Sequence, residues 1–281
     1  MTAEKIGKWN RRYLRAFAML FVTVLAFGLL INAPPVIKAP TIDLDNYRIT
    51  FDDEFENLDV SARGPGTRWI AHTPWSGDFG EAEFVDPTPG FPFTISNGVL
   101  RIEARKDADG KWRSGLLASV DANNRGFGQR YGYFEIRAKL PAGLGLWPAF
   151  WLDSLVLPPL NDPSTEIDVL EHHGHFPGAY ESIVTVWSKT APNESHSERH
   201  VNSVPSGTLY EEFHTYGVSV EPDWTVFYLD RSEIWRVKTP PEHRHKLMIL
   251  LNLALGSGWP IEKTPSPSFM YVDYVRAYER R

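Results

Sequence analysis

The sequence predicts an all-β domain of about 230 residues, two packed sheets in a sandwich, preceded by one apolar amino-terminal helix. Three observations carry this. From residue 49 onward, short runs alternate apolar and polar side chains, as in Val99-Leu100-Arg101-Ile102-Glu103-Ala104 and Tyr133-Phe134-Glu135-Ile136-Arg137-Ala138. That period of two is the signature of half-buried strands. Gly and Pro clusters punctuate the runs. No helical period recurs after residue 33, and no internal repeat or low-complexity tract is visible. So many strands in one unit suit a sandwich.

The elements follow in order. Residues 1–15 are basic, with Lys5, Lys8, Arg11, Arg12 and Arg15 against the single acid Glu4. An uncharged run follows from Ala16 to Ala33. As a helix it would be about 27 Å long, near the ~30 Å of bilayer hydrocarbon. The basic flank should stay cytoplasmic, which places the rest of the chain in the periplasm or outside. Two readings remain: an uncleaved signal anchor, or a signal peptide cut after Ile31-Asn32-Ala33 and released. Pro34 directly after that site favours the anchor. Residues 34–48, with Pro34, Pro35 and Pro40, read as an extended linker. Residues 49–281 form the β domain.

Charge and cysteine content bound the function. Residues 34–281 keep 24 of the 29 basic and 34 of the 35 acidic residues, a formal charge of −10 against −6 for the whole chain. That disfavours a nucleic-acid partner. The absence of cysteine excludes disulfides, thiol catalysis and thiolate-bound zinc.

The segment Glu166-Ile167-Asp168-Val169-Leu170-Glu171 concentrates the chemistry. Three acids interleaved with Ile, Val and Leu read as a strand with one core face and one acidic face. Alternation puts Glu166 and Asp168 on the same face. Glu171 joins them only if a β-bulge adds one residue, placed at Leu170. The glutamate Cα atoms would then lie roughly 13 Å apart at about 3.3 Å per residue. Long side chains can close that to the ~5–5.5 Å of a retaining glycosidase or the ~6.5–9.5 Å of an inverting one. An acidic surface strand, or a Ca²⁺ or Mg²⁺ site, would have the same three residues.

The wider pattern resembles glycoside hydrolase family 16. The matching segments run in order: Phe51-Asp52-Asp53-Glu54-Phe55, Tyr131 to Pro141, Leu146-Trp147-Pro148-Ala149-Phe150-Trp151, the acidic strand, Trp224 to Asp230, Leu251 to Gly256 with Trp259-Pro260, and Tyr271 to Tyr278. The resemblance implies a jelly roll of two antiparallel sheets with a concave substrate cleft. It implies that Glu166 is the nucleophile, Asp168 its helper and Glu171 the general acid/base of a retaining endo-β-glycanase that needs no cofactor for catalysis. Two residues between Asp168 and Glu171 match the bulged branch of laminarinases, agarases and carrageenases. A transglycosylase or a non-catalytic carbohydrate-binding jelly roll is the alternative, and the complete acidic set argues against the second. The partner is a polysaccharide, and the domain is expected to be monomeric.

Further site residues follow. Trp147 and Trp151 share a strand face, and indoles stack on the C–H faces of sugars. Asn252, and Trp259 beyond the Gly256-Ser257-Gly258 loop, are read as cleft residues, as is His173. His172, His173 and His175 could hold zinc only with further ligands such as Glu194, His196 or His200. The resemblance also implies a structural Ca²⁺ remote from the cleft, with Asp273 and the carbonyl of Gly98 as ligands. Two departures from laminarin-cleaving members stand out. Leu160-Asn161-Asp162-Pro163-Ser164-Thr165 lacks their Trp-Pro segment, and Trp187 stands near the place of a histidine. Both disfavour β-1,3-glucan and point to another glycan, such as an exported bacterial polysaccharide trimmed by an anchored enzyme.

Overall fold

The computed structural model describes residues 39–75, 77–156 and 161–281. The basic segment, the apolar run and residues 34–38 lie outside the described residues. Among the described residues, no helix is long and apolar enough to cross a membrane.

Two sheets face each other. The outer sheet has ten strands, with a main path of β16 (Ser232–Lys238), β15 (Trp224–Leu229), β14 (His214–Val220), β9 (Gly132–Lys139), β18 (Ser268–Arg280), β6 (Val99–Lys106), β7 (Trp112–Ser114) and β4 (Glu83–Phe84). β1 (Tyr47–Asp53) also pairs with β18, and β5 (Phe93–Ser96) with β6. The cleft sheet runs β13 (His196–Ser203), β12 (Ala179–Trp187), β11 (Ser164–Glu171), β10 (Leu146–Ser154), β17 (Leu247–Leu255), β8 (Leu116–Ala118), β3 (Trp69–Ile70) and β2 (Val60–Ser61). The expectation of purely antiparallel sheets needs one correction. The two-residue pairs β2–β3 and β4–β7 are parallel. For β2–β3, the loop through 62–68 returns the chain to the same end of the sheet instead of turning it as a hairpin.

The core lies between the sheets. Ile102, Phe134, Ile136, Val272 and Val275 meet Phe150, Leu152, Ile167, Val169 and Leu251 there. Each fully buried side chain of this kind contributes about 1.5–3 kcal/mol. A second apolar layer, with Ala149, Trp151, Met248, Leu250 and Ala254, covers the other face of the cleft sheet. β17 is therefore buried at every position, which makes it the rigid backing of the cleft.

The described end of the proline-rich segment is attached to the sandwich. Ile42 N donates to Arg231 O and Glu233 N to Pro40 O. Ile42 and Leu44 pack on the cluster of Tyr47, Tyr133, Tyr228 and Tyr278. Strand β1 begins at Tyr47, two residues before the boundary expected from alternation.

Candidate active site

The acidic strand is β11, flanked by β10 and β12. Its pairing with β10 runs Glu166 to Asp153, Ile167 to Leu152 and Asp168 to Trp151, then slips so that Leu170 meets Phe150 and Glu171 meets Ala149. Val169 has no partner in this register, and toward β12 both Val169 and Leu170 are skipped between Asp168 and Glu171, so the expected bulge comprises these two residues. Val169 and Leu170 both belong to the core between the sheets. Two consecutive residues therefore point inward, and Glu171 returns to the acidic face.

Glu166, Asp168 and Glu171 floor one cavity of about 440 Å³. Trp147 and Trp151 of β10 wall it, with Thr185 and Trp187 of β12, Arg199 of β13 and Asn252 of β17. Trp75 and Phe79 enter from the loop between β3 and β4. Phe79 meets Trp147 and Trp151 edge-on at 5.5 and 5.8 Å, and Trp75 meets Trp151 at 6.0 Å. The loop is fastened by Glu81 N donating to Leu255 O. Gly80, at φ +77°, lies so close to that carbonyl that an added Cβ would stand 2.7 Å from it. Only glycine fits both the conformation and the approach.

A second cavity of about 530 Å³ opens beyond Glu171 and shares Glu171 and Arg199 with the first. His173, Phe176 and Trp259 line it. His175 packs tilted against both Phe176 and Trp259, with ring centroids 4.1 Å and 4.2 Å away. His173 lies nearly parallel to Trp147 at 6.5 Å. The groove therefore runs continuously past Glu171, walled by aromatic rings on both sides.

Hydrogen bonds fix the cleft side chains. Trp147 Nε1 donates to Glu171 Oε1 at 2.8 Å. Trp151 Nε1 donates to Asn252 Oδ1 at 2.8 Å. Asn252 is 0% exposed, so it braces the Trp151 indole from beneath in the cavity wall. His172 is also buried, its Nδ1 paired with Ala179 O, and burial lowers its pKa to about 4. It is a structural neutral histidine. Burial likewise lowers His173 and His175. Among the described residues no cluster of three or more metal-ligating side chains occurs, so the histidine run gains no third zinc ligand there.

The carboxylates are raised together. Burial lifts Glu166 to about 7, a hydrogen bond from the Trp187 side chain opposes the rise, and the charge of Glu171 adds to it. Burial raises Glu171 as well, against the Trp147 hydrogen bond. Burial, followed by Glu166, Glu171 and Asp153, pushes Asp168 well up. Such a set cannot be fully ionised at neutral pH, and a proton held among close carboxylates is what acid/base chemistry requires.

Asp273 lies on β18 of the outer sheet and Gly98 in the turn between β5 and β6. Asp273 sits at a bulge where pairing passes from Val272–Ala138 to Tyr274–Arg137, and its carboxylate accepts Arg137 Nη1. Gly98 lies beside the carbonyl of Glu54. Calcium needs bare oxygen donors, and here a guanidinium occupies the one candidate carboxylate. As placed, Asp273 does not fit the expected calcium site.

Sequence reasoning missed Trp75, Phe79, Asp153 and Arg199. Two aromatics set among Gly77 and Gly80 were the available signal for the loop. Extending the alternation of β10 by one step would have reached Asp153.

A two-sheet sandwich with an aromatic groove floored by clustered carboxylates defines a carbohydrate-active jelly roll. Residues 93–275 match the model for "Glycosyl hydrolases family 16", and the chain belongs to that family. It is 33% identical over 252 residues to endo-1,3-1,4-beta-glycanase EglC of Rhizobium meliloti, covering 82% of this chain and 51% of that protein. It is 32% identical over 203 residues to a beta-glucanase of Rhodothermus marinus, covering 66% of this chain and 69% of that one. The catalytic domain of an endo-1,3-beta-glucanase (laminarinase) from Thermotoga petrophila superposes with a TM-score of 0.64 at 26% identity, covering 84% of this chain and 98% of that one. The chain spans about half the length of the Rhizobium relatives it matches.

Proposed function

We propose that this protein is a retaining endo-β-glycanase that cleaves internal bonds of a polysaccharide through a covalent glycosyl-enzyme intermediate. The observation that carries the proposal is the single groove in which Glu166 and Glu171 stand on one strand face, open on both sides of Glu171. Glu166, ionised, attacks the anomeric carbon, while Glu171 gives its proton to the departing glycosidic oxygen. Water then attacks the same carbon from the vacated side, Glu171 takes its proton, and Glu166 is released. Asp168, whose carboxyl burial and its acidic neighbours push well up, stays protonated between the two and shares hydrogen bonds with the nucleophile. The departing sugar lies on the far side of Glu171, in the compartment of His173 and Trp259. A chain that fills both cavities at once, on either side of Glu171, is cut internally, which is endo action.

The substrate we infer is a β-glycan with mixed 1,3 and 1,4 linkages, in keeping with the names of the Rhizobium relatives and with Trp187 at the edge of the cleft. The basic segment and apolar run at residues 5–33 support a membrane-anchored enzyme acting outside the cytoplasm on an exported polysaccharide. Digestion of defined glycans, with products resolved by mass and linkage, tests the substrate. Mixed-linkage glucan should be cut faster than laminarin, and the reverse order refutes the assignment. Replacing Glu166 by Gln should abolish turnover and preserve glycan binding. Wild-type rates in E166Q would overturn the nucleophile assignment.

A further inference from the structure

A fourth carboxylate belongs to the cleft face. On β10, Trp147, Ala149 and Trp151 alternate onto the cleft side, and the next residue in that alternation is Asp153. Across the ladder, Asp153 is the direct partner of Glu166. Directly opposed residues in an antiparallel pair point to the same face with Cβ atoms about 4.5–5.5 Å apart. Like charges at that distance disfavour each other. Resting on the assignment of Glu166 as nucleophile, we propose that Asp153 is a positioning residue: it forms a cross-strand carboxylate pair with Glu166 and controls when the nucleophile is charged.

The surroundings leave the pair little relief. On the β17 side, Asp153 faces Met248, which carries no charge. On β11 the neighbours are Asp168 and Glu171. On β12 they are Thr185 and Trp187, and on β13 Ser197 and Arg199. Lys189, after β12, is the one cation that acts on Asp153, and Arg199 acts on Asp168 and Glu171. One oxygen of Asp153 accepts the amide of Ser154. Burial first and the Glu166 charge second lift Asp153 to about 7, while burial and the Glu171 charge lift Glu166 to about 7. Repulsion across one rung of the ladder acts on both partners alike, so the two acids titrate over one range and hold a proton in common. The cost to the nucleophile is a later ionisation, which moves the onset of activity toward neutral pH.

The test is the titration of the Glu166 side chain, followed by ¹³C NMR in protein labelled at glutamate Cδ and assigned by the signal lost in E166Q. It compares the wild type with D153N and D153S, the second serving if the first does not fold. Two charges at cross-strand distance in a partly wet cleft shift each other by about one pH unit. The Glu166 midpoint should therefore fall by about one unit in either variant. The acidic limb of kcat/KM on soluble mixed-linkage glucan should fall with it, while the alkaline limb stays. An unmoved or raised midpoint overturns the proposal, as does a loss of rate at every pH with no movement of the limb. The expected fall of the midpoint in the variants, with a wild type that cleaves no glycan, would instead count against the proposed function.

Discussion

Replacing Trp147 by Phe isolates one hydrogen bond on the proton donor. The indole Nε1 gives its hydrogen to Glu171 Oε1 at 2.8 Å, and such a bond favours the ionised carboxylate. Phenylalanine removes the donor and keeps an aromatic ring against Phe79 and His173. A hydrogen bond to a charged group is worth about 1.5–3 kcal/mol. Glu171 is half-buried and borders both cavities, so water replaces part of that, and about 1 kcal/mol is left to lose. At 1.36 kcal/mol per pH unit, the Glu171 pKa rises by about 0.7 unit. Glu171 must be protonated to act, so the alkaline limb of kcat/KM should move up by that amount while the rate at the optimum falls. The assay is kcat/KM on soluble glucan between about pH 5 and 10, where the two limbs report the coupled acid pair. An alkaline limb that stays in place or moves down would refute the reasoning, because loss of stacking alone scales the rate and leaves the limb.

Three further outcomes are expected. Trp259→Ala should lower kcat/KM on polysaccharide about tenfold, the worth of one aromatic stack, and leave an aryl glycoside with a small leaving group unaffected; equal losses on both would remove Trp259 from the leaving-group side. Glu166→Gln should raise Tm at pH 8 and not at pH 4. Glu166 has a folded pKa raised from 4.5 to about 7, so its stability contribution is full below about pH 4.5 and lost as pH climbs through 7, a loss of order 2–3 kcal/mol that thermal melts at the two pH values would detect. Glu135→Ala should destabilise the fold by about 2–3 kcal/mol in urea unfolding without changing KM, since Glu135 is fully buried on the outer sheet, held by Arg231 and Tyr278, and its loss strands a partly exposed guanidinium.

The sequence made the sandwich and the acidic face legible because both depend on local alternation. Glu166 and Asp168 share a face by period alone, and the need to bring Glu171 back demanded a bulge. The two-residue extent of the bulge was not legible, since Val169 and Leu170 are both apolar; it shows only in the pairing with the strands on either side. Asp153 was missed because its partner lies on another strand, and register between strands is a long-range property. Trp75 and Phe79 sit in a loop with no period to read. Asn252 lines the cavity as expected, but its hold on the Trp151 indole and the cover on both faces of β17 are features no single strand reveals. The calcium expectation for Asp273 came from the family resemblance alone, and its pairing with Arg137, 136 residues away, joins two strands and is not visible along one.

The central claim is that Glu166 attacks the sugar directly, and the anomeric form of the first product tests it. Proton NMR during the earliest turnovers, before mutarotation, should show the newly formed reducing end as the β anomer, the outcome of two displacements at one carbon. An α anomer appearing first would mean a single displacement by water and would contradict the mechanism.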